Sequence, residues 1–309
     1  MKKPLRLFTS LWGDKHIELF DTALVRSLCW PINRAALEGA TWEIWTKQED
    51  FAVVEAIAGN LPVKVELYAI DKYLADLETE YLNDSGVMMC KVFARAMRRC
   101  IDLKAQMLIA PPDTIFGGET IPNLLSIGSI PNSVVFVPHI RVHDTVIAEL
   151  HGHKGSFSNA TLVTAAMKHA HKSWTEAEIG HERINTFIGG IFWRRLANDI
   201  YAVQHLLPTP YLVNWTEEDY NCFTRNPQPG EWPPVFGILD HLWPSMCVFP
   251  NQRARVVASS DIAFLVEITD ADKNVPPLNH YKPEDPDTFW RNAMHNAINR
   301  QIIATFRGE

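Results

Sequence analysis

Three polar clusters in the first half of the chain carry residue types that bind phosphates and cations. They are Thr9-Ser10-Leu11-Trp12-Gly13, the stretch from Thr46 to Asp50, and Pro111-Pro112-Asp113-Thr114, and each follows an apolar run. Small hydroxyl residues before Gly13 would let backbone N–H groups approach a phosphate. Asp113 offers hard oxygen ligands, which suit a divalent cation beside a diphosphate. An ordinary turn at the end of a strand explains each cluster, taken alone, equally well.

Histidines crowd one later stretch of the chain. Between residues 139 and 181 there are seven of them, several spaced two or four residues apart, and no cysteine. Such spacing can build a zinc site. A histidine with a satisfied hydrogen bond, in the core or at the surface, is the alternative for each. The seven are His139, His143, His151, His153, His169, His171 and His181.

Aromatic residues gather further along the chain, with arginines beside them. Arg194 and Arg195 follow Trp193, where they could bind a phosphate or simply form an exposed pair. The aromatic residues could form a stacking floor for a sugar ring or a base, or pack as core. They are Trp193, Tyr201, Tyr211, Trp215, Trp232 and Trp243.

Composition narrows the class of protein. The chain has 309 residues, of which 47% are hydrophobic and 21% charged, which excludes general disorder. A net charge of −7 argues against a broad cationic face for polyanions. Nothing in the chain matches the long apolar run of a membrane helix, and the five cysteines are scattered without a C-x-x-C pair. We therefore expect reduced thiols and a cytoplasmic protein.

Strand and helix signals alternate through the first 140 residues. Alternation at this spacing predicts an α/β fold with a mainly parallel sheet covered by helices on both faces. The second half is rich in loops, with one clear helix over Ser158–His169 and a closing amphipathic helix from Trp290 to Phe306. The strands are predicted at Leu5–Ser10, Trp42–Thr46, Val63–Ile70, Met107–Ala110, Val134–Val137, Val256–Val257 and Ala263–Ile268, and the early helices at 14–28, 51–58 and from Ser85.

No repeat or low-complexity tract divides the chain. We expect one domain over residues 1–309, with a nucleotide-binding half at 1–140 and an acceptor-side half at 141–309. Ligands of parallel α/β sheets bind outside the carboxyl ends of the strands, which is where the three polar clusters fall. Neither G-x-G-x-x-G nor the P-loop pattern occurs, so a dinucleotide-type or P-loop site is not supported.

The order of several segments resembles a family of bacterial and phage glycosyltransferase-like proteins with the GT-A fold. LRLFTSLWGDKH resembles their first strand and turn, and EIWTKQED their second strand. MLIAPPDTIFGGET resembles the "Pro-Asp" segment that stands where other GT-A enzymes carry Asp-x-Asp. The segments that follow in the family's order are ATLVTAAMKHAHKSW, GGIFWRR, QHLLPTPYLV, GILDHLWP and VVASSDIAFLVEI.

The resemblance implies transfer of a sugar from a nucleotide-sugar donor. Donor-binding residues would be Thr9, Ser10, Leu11, Trp12, Thr46 and Asp50 around the nucleoside, with Asp113 and Arg194 toward the diphosphate. Asp113 would act directly or through Mg²⁺ or Mn²⁺, and His205 and His280 could join it at the metal. A single carboxylate replaces the usual two, which leaves dependence on a metal open.

Transfer that inverts the anomeric centre also needs a base for the acceptor hydroxyl. Asp240 in GILDHLWP is the first candidate and Asp261 in SSDIAF the second. Either could instead cap a helix or a turn.

The acceptor and the activity itself remain open between several classes. The acceptor could be a surface glycan, a lipid-linked saccharide or a modified base in DNA, and the net charge argues mildly against DNA. A catalytically silent member that binds a glycan or a protein is one alternative. A nucleotidyltransferase is another, although LFTSLWGDK lacks the arginine of the loop such enzymes carry after the first strand.

Overall fold

The structure is a computed structural model. It describes residues 3–75, 85–152, 157–175, 177–178, 184–185, 191–205, 209–224, 243–269, 280–281 and 303–309. The strands, in chain order, are β1 (Leu5–Ser10), β2 (Thr41–Thr46), β3 (Lys64–Ala69), β4 (Gln106–Ile109), β5 (Thr114–Phe116), β6 (Val134–Phe136), β7 (Ile140–His143), β8 (Ile184–Asn185), β9 (Ile191–Ala197), β10 (Ile200–His205), β11 (Pro210–Val213), β12 (Ala254–Val256), β13 (Leu265–Thr269), β14 (His280–Tyr281) and β15 (Ile303–Arg307).

Most of the helices are short. A π-helical turn at Phe20–Val25 joins the first two, another lies at Pro244–Val248, and a 3₁₀ turn occupies Gln48–Asp50. Within the described ranges, every helix is too short or too polar to cross a bilayer. The α-helices are α1 (Asp14–Leu19), α2 (Arg26–Leu28), α3 (Pro31–Ala36), α4 (Phe51–Ala58), α5 (Ile70–Ala75), α6 (Ser85–Asp102), α7 (Thr120–Ile127), α8 (Val146–Gly152), α9 (Asn159–Lys168), α10 (Lys172–Thr175) and α11 (Glu217–Thr224).

The chain folds into two compact units, and each unit draws on three separate stretches. The first unit comprises Met1–Asp113, Leu124–Phe136 and Pro210–Arg255. The second comprises Thr114–Asn123, Val137–Thr209 and Val256–Glu309. The expected single domain, with halves that divide near residue 140, stays a prediction.

The first unit is built on a seven-stranded sheet with the order β12-β6-β11-β4-β1-β2-β3. β1 pairs in parallel with β2 and β4, and β2 pairs in parallel with β3. β11 runs antiparallel to β4 and β6. The run β3-β2-β1-β4 is the strand order of a doubly wound nucleotide-binding half. The predicted Rossmann-like sheet, mainly parallel and flanked by helices, is confirmed.

Aromatic side chains fasten helices to both faces of this sheet. Leu7 and Trp42 are paired in register and buried on one face, where the ring of Phe20 lies 5.2 Å from that of Trp42. Phe8 points to the other face, where it meets Phe93 of α6 edge-on at 5.0 Å. Because side chains alternate along a strand, neighbouring apolar residues of β1 bury against different helices. This explains why the strand reads as one continuous apolar run.

A charged cluster lies on the α6 face of β1, β2 and β3. Arg6 Nη2 donates to Glu43 Oε2 at 3.0 Å and to Glu66 Oε2 at 2.7 Å, and Arg99 Nη1 donates to Glu43 Oε1 at 2.8 Å. Burial alone would raise the pKa of Glu66, but hydrogen bonds from Lys64 and Arg6 outweigh it and lower that pKa to about 2. Glu66 therefore stays ionised through the neutral range.

The second unit contains a sheet with the order β5-β13-β7, a sheet with the order β15-β10-β9, and the pair β14-β8. Trp193 of β9 stacks on Trp174, with ring centroids 5.6 Å apart and planes within 6°. Ser158 caps α9, since its Oγ accepts the N–H of Thr161 at 3.0 Å. The helix predicted over 158–169 is thus confirmed, with Ser158 as the capping residue.

The predicted closing helix from Trp290 to Phe306 does not hold at its end. Residues 303–307 form β15, which runs antiparallel to β10, and residues 282–302 lie outside the described residues. Ala304 and Phe306 are buried while Thr305 and Arg307 are not, which is the two-residue period of a strand. The four cysteines whose side chains are described form no disulfide with one another: Cys29, Cys100, Cys222 and Cys247.

Candidate functional site

The carboxyl ends of β1, β2 and β4 meet at one edge of the first unit's sheet. Ser10 is paired in register with Trp45, and the N–H of Leu11 donates to the carbonyl of Trp45 at 2.9 Å. On the other side, the N–H of Ala110 donates to the carbonyl of Phe8 at 2.9 Å. All three predicted polar clusters are therefore brought to the same edge, where ligands of parallel sheets bind.

The turn after β1 depends on a glycine. Gly13 has φ of 83°, and its carbonyl accepts the N–H groups of His16 and Ile17 at 3.0 and 3.1 Å to begin α1. The N-cap residue of this helix is Gly13, and no side chain makes a capping hydrogen bond there, although Asp14 lies in the first turn. Trp12 is half-buried, and its carbonyl oxygen lies 3.0 Å from Nδ1 of His16.

Two of the predicted donor-binding residues are engaged within the protein. The Thr9 hydroxyl donates to the carbonyl of Ala110 at 2.7 Å and accepts from Nε1 of Trp42 at 2.9 Å. Leu11 is buried. Thr9 and Leu11 therefore shape this edge by joining its strands, while their side chains are turned to the core.

Thr46 and Asp50 differ from Thr9 because their polar atoms lack partners. Thr46 is fully buried, and neither its Oγ1 nor the buried Oδ2 of Asp50 makes a hydrogen bond to any described residue. Such an atom costs about 1–3 kcal/mol when it is left unsatisfied. Both belong to the turn that leads from β2 through Gln48–Asp50 into α4. Buried polar atoms of this kind are expected where a ligand supplies the missing partners.

Asp113 is half-buried in the turn after β4 and has an interaction partner. His205 lies in β10 and His280 in β14, both in the second unit, and their side chains are outside the described ones. Among the described residues, no three histidine, cysteine, aspartate or glutamate side chains come together as a metal site. The cation expected at Asp113, His205 and His280 stays a prediction, because the side chains of both histidines lie outside the described ones.

The remaining predicted residues are divided between the two units. Arg194 lies in β9, partly exposed and with an interaction partner. Asp261 is in an exposed turn, where its Oδ2 lies 3.2 Å from Nη1 of Arg307. Asp240 and Trp232 are outside the described residues. Of the two alternatives for the other aromatic residues, a stacking floor or packed core, the structure shows packed core. All five are buried: Trp193, Tyr201, Tyr211, Trp215 and Trp243.

One face of the sheet β5-β13-β7 carries a cluster of polar side chains that the sequence patterns did not predict. Glu267 is level with Thr114 on one side and with Arg141 on the other, so the three side chains share a face. Nε2 of His139 lies 3.0 Å from Glu267 Oε2, and His143 follows two residues after Arg141. We call these five residues the polar face. The opposite face is buried and apolar, with Ile115, Ile140, Val142, Val266 and Ile268.

Two further histidines extend the polar face at one edge. An isolated bridge pairs Val142 with Ala170, and the ring of His171 lies 4.9 Å from that of His143. His169 approaches Oε2 of Glu149 at 2.7 Å. Hydrogen bonds from Lys168 and His169 lower the pKa of Glu149. Strand pairing therefore brings four of the crowded histidines together, and each of the four has protein partners or ring contacts: His139, His143, His169 and His171. His151 lies apart from them, exposed in α8.

Comparisons with known proteins give only distant likenesses. No family model matches the chain, and no curated protein matches it. Among solved structures, S. aureus TarS has a TM-score of 0.30 at 16% identity and covers 45% of this chain and 22% of its own. Mouse xyloside xylosyltransferase 1 has a TM-score of 0.34 at 13% identity, with 45% of this chain and 52% of that one covered.

A third solved structure covers more of the chain. A protein described as a glucose-1-phosphate thymidylyltransferase, from Bacillus anthracis, has a TM-score of 0.38 at 7% identity and covers 82% of this chain and 86% of that one. This chain spans only 22% and 52% of the first two structures. At such scores and identities, the likenesses carry no weight for the activity of this chain.

Proposed function

We propose that the first unit binds the nucleotide of a sugar nucleotide at the carboxyl ends of β1, β2 and β4, and that the protein is a glycosyltransferase. One observation carries the proposal: Thr46 Oγ1 and Asp50 Oδ2 are buried at this edge without partners among the described residues. A nucleoside offers the hydroxyl and N–H groups that such atoms would bind.

Strand order supports the same edge. β1 lies between β2 and β4, so successive connections run to opposite sides of it. At such a switch point the connections separate and leave a crevice for a nucleotide. A carboxylate after the second strand is well placed to accept hydrogen bonds from the ribose hydroxyls, and Asp50 occupies that position in this chain. Thr46, Asp50, Ser10 and Trp12 are the proposed contacts of the nucleoside.

The proposed reaction breaks the bond between the anomeric carbon and the diphosphate oxygen. The acceptor oxygen forms the new bond to that carbon, and its proton passes to a base if the reaction inverts. Asp240 remains the first candidate for this base. Asp261 is the second, although its pairing with Arg307 in an exposed turn would hold its carboxylate away from an acceptor. Asp113 and Arg194 stay candidates for the diphosphate side.

The test is thermal denaturation of the purified protein with a panel of nucleotides and sugar nucleotides. Binding to the native state raises the melting temperature by mass action. We expect a rise with one sugar nucleotide that Asp50→Asn reduces and Glu49→Gln, a change at the exposed neighbour in the same turn, does not. Absence of a rise with every nucleotide would overturn the proposal. Repeating the melt with Mn²⁺, Mg²⁺ or EDTA tests the cation expected at Asp113, His205 and His280.

The released product separates the two transferase classes. Glycosyl transfer releases a nucleoside diphosphate, whereas nucleotidyl transfer to a sugar phosphate releases pyrophosphate. A protein that binds the sugar nucleotide and releases neither would be a silent binding member of the fold.

A further inference from the structure

The polar face of the second unit holds several buried polar atoms that make no hydrogen bond to a described residue. Thr114 is fully buried, and its Oγ1 makes no hydrogen bond to any described residue. Nδ1 of His143 and Nε of Arg141 are also buried, and neither makes a hydrogen bond within the described chain. Most buried polar atoms in native proteins are bonded, so three on one face of a three-stranded sheet need an explanation.

The apolar packing of this sheet lies on its other face. The five apolar side chains of the opposite face already form the buried layer of this sheet. On the polar face, the Arg141 side chain keeps 40% and the Glu267 side chain 26% of its exposure. A face that combines partly open charged groups with buried atoms that make no hydrogen bond is suited to a ligand.

Charge decides which ligand fits. Arg141 Nε lies 3.3 Å from Glu267 Oε1, so the guanidinium and the carboxylate offset each other. A phosphate would be attracted by the guanidinium of Arg141 but repelled by the carboxylate of Glu267 beside it. A neutral ligand with several hydroxyl groups meets no such repulsion, since each hydroxyl both donates and accepts. Thr114, His143 and Arg141 supply donors, and Glu267 supplies acceptors.

We propose that the polar face, formed by Thr114, His139, Arg141, His143 and Glu267, binds a neutral saccharide. Saccharide binding by this face is inferred from residues of the second unit alone. Identification of this saccharide as the sugar acceptor rests on the proposed function, and it favours a glycan over a modified DNA base.

The test is saturation-transfer difference NMR of the full chain with neutral methyl glycosides, with and without uridine diphosphate. We expect at least one glycoside to bind, and Thr114→Val or Arg141→Met to weaken it about tenfold, the loss of one hydrogen bond. Thr114→Val should keep the melting temperature, because its hydroxyl has no described partner. Arg307→Met, a change at a surface arginine of the same unit, should bind as the wild type does.

Three outcomes would overturn this proposal. They are no signal from any glycoside, binding of inorganic phosphate in place of glycosides, and wild-type affinity in both Thr114→Val and Arg141→Met. The nucleotide-dependent rise in melting temperature distinguishes the two proposals. If that rise persists while glycosides fail to bind, only the saccharide site is refuted, and if it is absent, the nucleotide site is.

Discussion

Arg253 holds the carboxylate of Asp219 by two hydrogen bonds, from Nη1 to Oδ1 at 2.7 Å and from Nη2 to Oδ2 at 2.8 Å. Asp219 is fully buried, and it also accepts from Nε1 of Trp243 at 2.7 Å and from the N–H of Thr216 at 2.9 Å. The pair ties α11 to the segment that leads into β12. A buried charge with all its partners present is stable only as long as none of them is removed.

Asp219→Ala should therefore lower the free energy of unfolding by about 3–5 kcal/mol, because it leaves the Arg253 guanidinium buried without its counterion. Denaturant titration measures this loss. Glu217→Gln, on the same helix but at an exposed ion pair with Arg98, should leave the free energy of unfolding nearly unchanged. Equal effects of the two changes would contradict this account of the buried pair.

Thr46→Val and Thr9→Val should have opposite effects on stability. Valine at position 46 removes a buried hydroxyl that has no described partner, so the free energy of unfolding should hold or rise by up to about 1–3 kcal/mol. Valine at position 9 removes a hydroxyl that bonds Ala110 and Trp42, so stability should fall. Thermal melts compare the two variants, and nucleotide binding should weaken in Thr46→Val. A destabilised Thr46→Val that keeps nucleotide affinity would speak against a ligand at this position.

Gly13→Ala should destabilise the first unit by about 1–3 kcal/mol, because φ of 83° with ψ of 153° is a conformation that side chains avoid. The space around the glycine does not matter, since an added Cβ would meet nothing within 4 Å. Gly152→Ala, at the end of α8 with the same open surroundings, should be neutral or stabilising. Differential scanning calorimetry of both variants checks the contrast. Similar melting temperatures would mean that the turn adapts to alanine.

Acid should weaken the first unit through Glu66. Its pKa in the folded protein is about 2, below the ordinary 4.5, so the carboxylate stabilises the fold fully above pH 4.5. This contribution is lost as the pH falls from 4.5 toward 2. Glu66→Gln should flatten the fall in stability over that window, measured by denaturant titration at several pH values. Glu55→Gln, on the outer face of α4, should follow the wild-type curve of stability against pH. If Glu66→Gln also follows that curve, the ion pairs of Glu66 contribute nothing to stability.

Local patterns predict much of the first unit. β1 and α4 have the predicted bounds, Leu5–Ser10 and Phe51–Ala58, because a run of apolar residues and a helical period are visible within a few residues. The position of β11 between β4 and β6 could not be predicted, since an antiparallel strand from residues 210–213 enters the middle of the sheet from a distant part of the chain.

Part of the candidate site could likewise be predicted from the sequence, and part could not. The three polar clusters could be placed at one edge because parallel strands end together. The different roles of Thr9 and Thr46 could not be predicted from the sequence. They depend on whether a partner reaches the hydroxyl, as Trp42 and Ala110 do at Thr9. The polar face was also hidden, because Thr114 and Glu267 are neighbours only through the pairing of β5 with β13.

The late entry of β11 has a consequence for synthesis on the ribosome. Until residue 213 has left the exit tunnel, β4 and β6 have no strand between them, and β4 presents an unpaired edge. Such an edge can pair with other chains. After β4 has been made, about 100 further residues must be added, at roughly 5–20 residues per second, before β11 can pair with β4. A fragment cut near residue 140 would keep that edge open permanently, and we expect it to aggregate rather than fold.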